Sequence, residues 1–372
     1  MLYTHTMKLP LLTELFDATT PLVVMVSGGG DSVALLSLLA SSAFGKRTPA
    51  PERVRVLHVN HGLRAQQADA DEAFTVGLCG QLGYSCERRH LDVAARAAEE
   101  KRNVEDLGRQ LRYEAAEELC DELCAQLEVD PAAGRIVTAH TLDDRVETFF
   151  ERALFGAGTG ALASIRPTRG RIARPLLRCD RAALRDWLQA QGQDWREDAT
   201  NGDTTRTRAF IRARIVPAAE ELAPAFRANL ERTMDLLAED DGLLDELAAS
   251  FAHDFSDGGT AAEDALMFDD DDDDDTQGSD ERDTLMFDAD LMATLDPVMA
   301  RRTLRRALLD AFPEEASRLP QVRYRELADA LALSSYQADL GKGLRAQRTG
   351  SSLIIKRLPI WRRVDASAAV LR

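Results

Sequence analysis

The chain is poor in cysteine and lysine and has no long apolar run. Without a stretch of about 18 apolar residues, no membrane-spanning helix is expected. The N-terminus lacks a basic-then-apolar leader, so no secretory signal is expected either. The five cysteines (Cys79, Cys86, Cys120, Cys124 and Cys179) are odd in number and lack the spacing of a disulfide framework. A reduced, cytoplasmic setting fits them better. Cys120 and Cys124 share one face of a predicted helix, which points to core packing rather than a metal site. Two common phosphate-loop patterns are also missing. Neither G-x-x-x-x-G-K-[ST] nor G-x-G-x-x-G occurs at the glycine-rich segment near residue 28.

What is present is ample for more than one core. The chain has 372 residues, of which 45% are hydrophobic, enough for two domains. Its formal net charge of −17 would by itself disfavour a polyanionic partner. The distribution reverses that inference. Residues 240–290 carry 20 acidic side chains and one basic one, leaving 43 acids against 45 bases elsewhere. Seven consecutive aspartates, Asp269 to Asp275, form the centre of the acidic segment. Such a run repels itself and buries no face, so disorder is expected. Leu266-Met267-Phe268-Asp269 recurs as Leu285-Met286-Phe287-Asp288, the mark of a duplicated insertion. Deleting about residues 264–282 is therefore expected to leave the fold and nucleic-acid binding intact.

Up to about Pro217 the chain alternates strand and helix patterns. Residues 22–26, 54–59, 85–91 and 135–139 read as strands. Residues 31–39, 68–82, 103–126 and 142–154 read as helices. This rhythm predicts an α/β fold with a parallel sheet covered on both faces. Residues 218–250, 298–311 and 323–333 look helical, and Ser352–Arg357 looks like a strand. The C-terminal part is expected to be smaller and mainly helical.

The strongest chemical signal is Ser27-Gly28-Gly29-Gly30-Asp31-Ser32, which follows an apolar strand and opens a helix. Glycines let the backbone approach a ligand closely. A helix N-terminus offers free N–H groups and a positive dipole end to phosphate. The plainer alternative is a glycine-rich turn capped by Asp31 or Ser32. The string resembles the pyrophosphate-binding loop of ATPases that cleave ATP to AMP and pyrophosphate. Three further stretches follow in order: His58-Val59-Asn60-His61-Gly62-Leu63-Arg64, Arg109-Gln110-Leu111-Arg112-Tyr113, and Ala139 to Thr148. With Arg174-Pro175-Leu176-Leu177, Trp195 to Asn201 and Arg212 to Pro217, the ordered set resembles the tRNA(Ile)-lysidine synthases of the PP-loop superfamily.

The resemblance implies a domain plan. Residues 1–217 would be a PP-loop (adenine nucleotide alpha hydrolase-like) adenylation domain, and 218–250 a helical linker. Residues 251–284 would be the acidic insertion, and 285–372 a tRNA-binding domain. It also implies a reaction. ATP adenylates the C2 oxygen of the wobble cytidine in a CAU-anticodon tRNA(Ile), and the ε-amino group of free L-lysine then displaces AMP. The product, lysidine, shifts decoding from AUG to AUA.

Chemistry assigns provisional roles. Ser27, Gly28, Gly29, Gly30, Asp31, Ser32 and His61 are candidates for binding ATP. Asp31 is the first candidate to assist Mg²⁺, which prefers carboxylates with phosphate oxygens. Asp143, Asp144 and Glu147 can share one helix face. Asp31, Asp143, Glu147 and Arg112 are the catalytic candidates, and His140 and Asp144 the candidates for the base or lysine. Thr141 and Asp144 also fit a capping box, which is compatible with a site. His58 is read as structural.

Basic residues outnumber acids by seven over 152–216 and by eight over 301–363, a pattern suited to phosphate contacts. Phe155 stands where the family usually has arginine, and Arg152 is the expected substitute. Three rivals remain: a PP-loop tRNA thiolase, a small-molecule amide-forming synthetase and a catalytically inactive tRNA-binding homologue.

Overall fold

The computed structural model describes residues 9–60, 65–197, 207–255 and 283–358. The chain divides into two compact units, Met1–Ala238 and Glu239–Arg372.

The first unit is built on a six-stranded sheet. Its strands are β1 (Leu22–Met25), β2 (Val54–Asn60), β3 (Ser85–His90), β4 (Arg135–Val137), β5 (Thr168–Arg169) and β6 (Ile172–Ala173), in the order β3-β2-β1-β4-β6-β5. All pairings are parallel except the β5–β6 hairpin at one edge. Register places Leu22 beside Val54 on one side and Arg135 on the other.

Burial on both faces explains the unbroken apolar run of β1. Leu22 and Val24 enter a core with Val54, Val56 and Val137, and Val23 enters the opposite core with Leu57 and Ile136. Helices cover both faces: α1 (Gly30–Ala40), α2 (Ala65–Leu82), α3 (Val93–Glu100), α4 (Val104–Gln126), α5 (Leu142–Phe155), α6 (Thr159–Leu162) and α7 (Arg181–Ala190). Leu35, Leu39, Leu184 and Leu188 pack on the first face, while Leu119, Leu123, Cys120 and Cys124 of α4 pack on the second. The cysteine pair is thus core. Asn103 caps α4 by accepting from the N–H groups of Glu105 (2.8 Å) and Asp106 (3.2 Å).

After α8 (Thr207–Phe210), residues 211–215 form a π-helical turn leading into α9 (Val216–Leu222). The helical stretch expected over 218–250 is interrupted. Ala223 is extended before Pro224, because proline disfavours helical backbone in the residue ahead of it. Helix α10 (Phe226–Phe255) then runs for 30 residues and contains the boundary between the units.

The second unit combines α11 (Ala289–Met292), α12 (Pro297–Ala311), α13 (Pro313–Ser317) and α14 (Gln321–Ala330) with an antiparallel sheet. The sheet holds β7 (Thr284–Asp288), β8 (Ser335–Gly341), β9 (Leu344–Thr349) and β10 (Ser352–Arg357), in the order β7-β10-β9-β8. Helices α12 and α14 match the stretches expected over 298–311 and 323–333, whereas the short α11 and α13 and three of the four strands were not read from the sequence. The second copy of the Leu-Met-Phe-Asp repeat is strand β7, with Phe287 fully buried. The first copy and the aspartate run lie outside the described residues. Among the described residues, no helix is long and apolar enough to cross a membrane.

Candidate active site

β1 lies between β2 and β4, so chain connections leave its carboxyl end in opposite directions and open a crevice there. A cavity of about 940 Å³ occupies this place. The ends of β1 (Met25, Val26), β2 (His58, Asn60) and β4 (Thr138, His140) form its floor.

The glycine loop forms one wall. Gly28 has φ +89°, a conformation that side chains resist. A Cβ on Gly30 would come within 3.2 Å of the Trp195 ring. Arg196 N–H donates to the Gly28 carbonyl (2.9 Å), so a segment from late in the unit covers the loop. The Ser32 hydroxyl donates to the Gly29 carbonyl (2.9 Å) and accepts from Ser27 N–H (3.2 Å). Ser32 therefore braces the loop instead of capping α1, whose N-terminus has no side-chain cap. Its N–H groups and dipole are left for a ligand.

The acidic candidates are gathered by arginines. Arg181 Nε donates to Asp31 Oδ2 (3.0 Å), Nη2 to Asp144 Oδ1 (2.8 Å), and Nη1 reaches Glu147 Oε1 (3.5 Å). Its backbone N–H donates to Asp143 Oδ2 (2.7 Å). Arg212 binds Glu147 through two bonds of 2.6 and 3.0 Å, and Arg227 donates to Asp143 (3.0 Å). Asp144 also completes the capping box of α5, accepting from Thr141 N–H (2.8 Å). Cap and site coexist in one carboxylate.

Burial raises the Asp31 pKa, against the opposing pull of Arg181. Burial alone would lower the Arg181 pKa, but Asp144, Asp31 and Glu147 outweigh it and raise it. Among the described residues, three buried polar atoms at the cavity lack a hydrogen-bond partner: Asp31 Oδ1, Arg112 Nε and Arg185 Nε. Burial lowers the Arg112 pKa. His140 Nδ1 is 2.8 Å from the Thr138 hydroxyl, and burial brings its pKa down to about 4, with Arg174, Arg109 and Arg208 adding to the shift. The ring is neutral at pH 7 and lines the cavity.

The structure brings most candidates together. Ser27, Gly29, Gly30, Asp31, Ser32, Arg112, His140 and Asp144 line the large cavity, and Gly28 belongs to the same loop. Asp143 and Glu147 line a neighbouring cavity of about 240 Å³ with Arg212, Glu220 and Arg227. His61 lies outside the described residues. His58 Nδ1 sits 2.9 Å from the Val26 carbonyl, a structural contact. Phe155 is 74% exposed. Arg152 is spent on the backbone carbonyls of Ala161 (2.6 Å) and Ser164 (3.2 Å).

The motifs gave no role to Arg181 or Arg185. Arg181 begins α7, where positive charge opposes the helix dipole, and Arg185 follows four residues later, where like charges repel. That conflict was the available signal. Neither is a metal cluster evident: among the described residues, no three Asp, Glu, His or Cys side chains could together hold an ion. Asp31 Oδ1 still fits Mg²⁺ brought by a nucleotide, since phosphates supply most of its ligands.

Comparison with known proteins agrees with this geometry. A PP-loop domain model matches residues 4–219. A tRNA(Ile)-lysidine synthase of Deinococcus radiodurans is 40% identical over 228 residues, covering 61% of this chain and 36% of that protein. One from Thermus thermophilus is 37% identical over 61% of this chain and 41% of its own length. One from Chlorobaculum tepidum is 36% identical over 60% and 63%. The chain thus spans about two-fifths of the length of the first two relatives. The match to the PP-loop model takes in more than half of this sequence, including the loop, the acidic helix and Arg181, which joins them, and the chain belongs to the PP-loop domain family.

Proposed function

We propose that the protein is an ATP-dependent tRNA(Ile)-lysidine synthase. The observation that carries this is the cavity itself. It presents an uncapped helix N-terminus, a half-engaged carboxylate and unpartnered arginine nitrogens at the carboxyl end of the sheet. Such donors suit a transition state that gathers negative charge around a phosphorus. The names of the relatives supply the substrate.

In the proposed reaction the loop N–H groups of Gly29 to Ser32 cradle the pyrophosphate that leaves. Arg112 and Arg185 neutralise charge near the α-phosphate. Asp31 Oδ1, with phosphate oxygens, would hold Mg²⁺, which supplies charge neutralisation when bound. The cytidine C2 oxygen takes the AMP group and pyrophosphate departs. The lysine ε-amine then forms the new C–N bond at C2, and AMP leaves with the C2 oxygen. His140, neutral and at the cavity wall, and Asp144 are proposed to contact base or lysine. The thiolase rival is disfavoured because, among the described residues, no cysteine lines the cavity.

The test is lysine incorporation. The protein is incubated with ATP, Mg²⁺, labelled lysine and CAU-anticodon tRNA(Ile), beside an active control enzyme. Incorporation that needs the wobble cytidine is expected; its absence would sink the proposal.

A further inference from the structure

Arg181 reaches more of the site than any motif residue does. Three carboxylates from two segments converge on one guanidinium whose side chain is 15% exposed. We propose that Arg181 is a positioning residue for the ATP step. Its fork grips Asp31 by one oxygen while anchored on Asp144 and Glu147 of α5, so that Asp31 Oδ1 stays turned to the cavity. This rests on the ATP reading of the site.

The geometry requires a fork, not just a charge. Nε, Nη1 and Nη2 each address a different carboxylate, and the three come from the loop and from two positions on α5. A lysine ammonium is a point charge on a flexible stem and cannot hold three such directions at once. The backbone N–H of Arg181 is pinned as well, by Asp143, so the side chain starts from a fixed root. Placement at the first position of α7 costs helix stability, because the cation faces the positive dipole end. Asp143, Asp144 and Asp31 offset that cost locally.

Removal of the fork has a definite consequence. Among the described residues Arg181 is the one hydrogen-bond donor to Asp31, which would then be free to rotate. Asp144 would keep its cap from Thr141, and Glu147 would keep Arg212. The fold should therefore survive while the loop carboxylate loses its aim. Misplacement of a reacting group by about 1 Å can cost about 100-fold in rate.

The experiment uses the full chain as wild type, Arg181→Ala and Arg181→Lys. Binding of a non-hydrolysable ATP analogue with Mg²⁺ is measured by calorimetry, thermal midpoint by scanning calorimetry, and tRNA-dependent pyrophosphate release by steady-state kinetics. Each is repeated with millimolar guanidinium or ammonium. Arg181→Ala is expected to lower kcat about 100-fold with KM for ATP changed less than about threefold. Guanidinium should restore turnover and ammonium should not, and Arg181→Lys should stay impaired at a wild-type midpoint.

Wild-type turnover in Arg181→Lys would overturn the fork. Loss in Arg181→Ala with a lowered midpoint and no guanidinium rescue would reduce Arg181 to a structural role and overturn the proposal. If Arg181→Ala does not fold, Arg181→Lys decides alone by the same two outcomes. A wild type that binds no ATP analogue would overturn the functional reading itself, and this inference with it.

Discussion

The two units spend arginine differently. In the first, Arg112 and Arg185 face a cavity, and each keeps a buried nitrogen without a partner among the described residues. In the second, arginines hold the fold. Arg302 binds Asp241 (2.7 Å) and Asp245 (2.8 Å). Arg348 is buried, donates to the carbonyls of Ala330 and Leu331, and binds Asp290 (2.7 Å). Arg357 binds Asp283 (3.0 Å) and Glu315 (3.2 Å). The two basic stretches have almost the same net charge, so composition alone could not separate these duties. What separates them is whether the charge is answered from within the protein.

The largest expected effect tests the unanswered side. Asp31→Ala should lower ATP–pyrophosphate exchange at least about 100-fold while unfolding free energy changes by less than about 1 kcal/mol. A large loss of stability with the same loss of activity would erase the contrast between the units.

Arg348→Met tests the answered side. It takes the arginine donor from the Leu331 carbonyl and from the Ala330 carbonyl, which keeps Leu333 N–H (3.1 Å), and should cost about 1–3 kcal/mol in urea unfolding, with turnover per folded molecule unchanged. An impaired kcat in folded protein would assign Arg348 to the reaction.

Acid should act mainly through the first unit. The pKa of His140 is about 4 in the folded state, below its ordinary value, so only the unfolded chain takes up this proton between about pH 6.5 and 4. Its contribution is therefore full above pH 6.5 and is lost as pH falls. From pH 7 to 5 the loss should be about 1 kcal/mol, allowing for partial exposure. His140→Asn should flatten this slope; an unchanged slope in urea titrations would refute the assignment.

The smallest effect concerns exposed arginines of the second unit. The double variant Arg305→Ala, Arg325→Ala should leave stability within about 0.5 kcal/mol and lower the salt dependence of tRNA binding by about one to two in log–log slope. An unchanged slope would place the tRNA elsewhere.

Much of this was legible in the sequence for physical reasons. Strand β1 is buried on both faces and has to be apolar throughout. The loop needs glycine at 28 for its positive φ, and Asn103 and Thr141 announce their helices by capping them. Strands β5 to β9 were not legible, the first two being only two residues long. Ser335 to Gly341 mixes polar and apolar residues with one side chain, Leu340, fully buried, so no clean alternation stands out. Arg181 was missed for another reason. Its partners lie 34 to 150 residues away in sequence, and no local pattern records such a meeting.

The cover on the glycine loop has a consequence for the chain as it is made. Gly28 and Gly30 are finished by Trp195 and Arg196, which leave the ribosome long after the loop itself. A nascent chain that stops before Trp195 carries the whole Ser27 to Ser32 string but lacks the wall that shapes it. Assembly of the nucleotide site is thus timed by synthesis, and the half-made protein has no finished pocket in which to spend ATP.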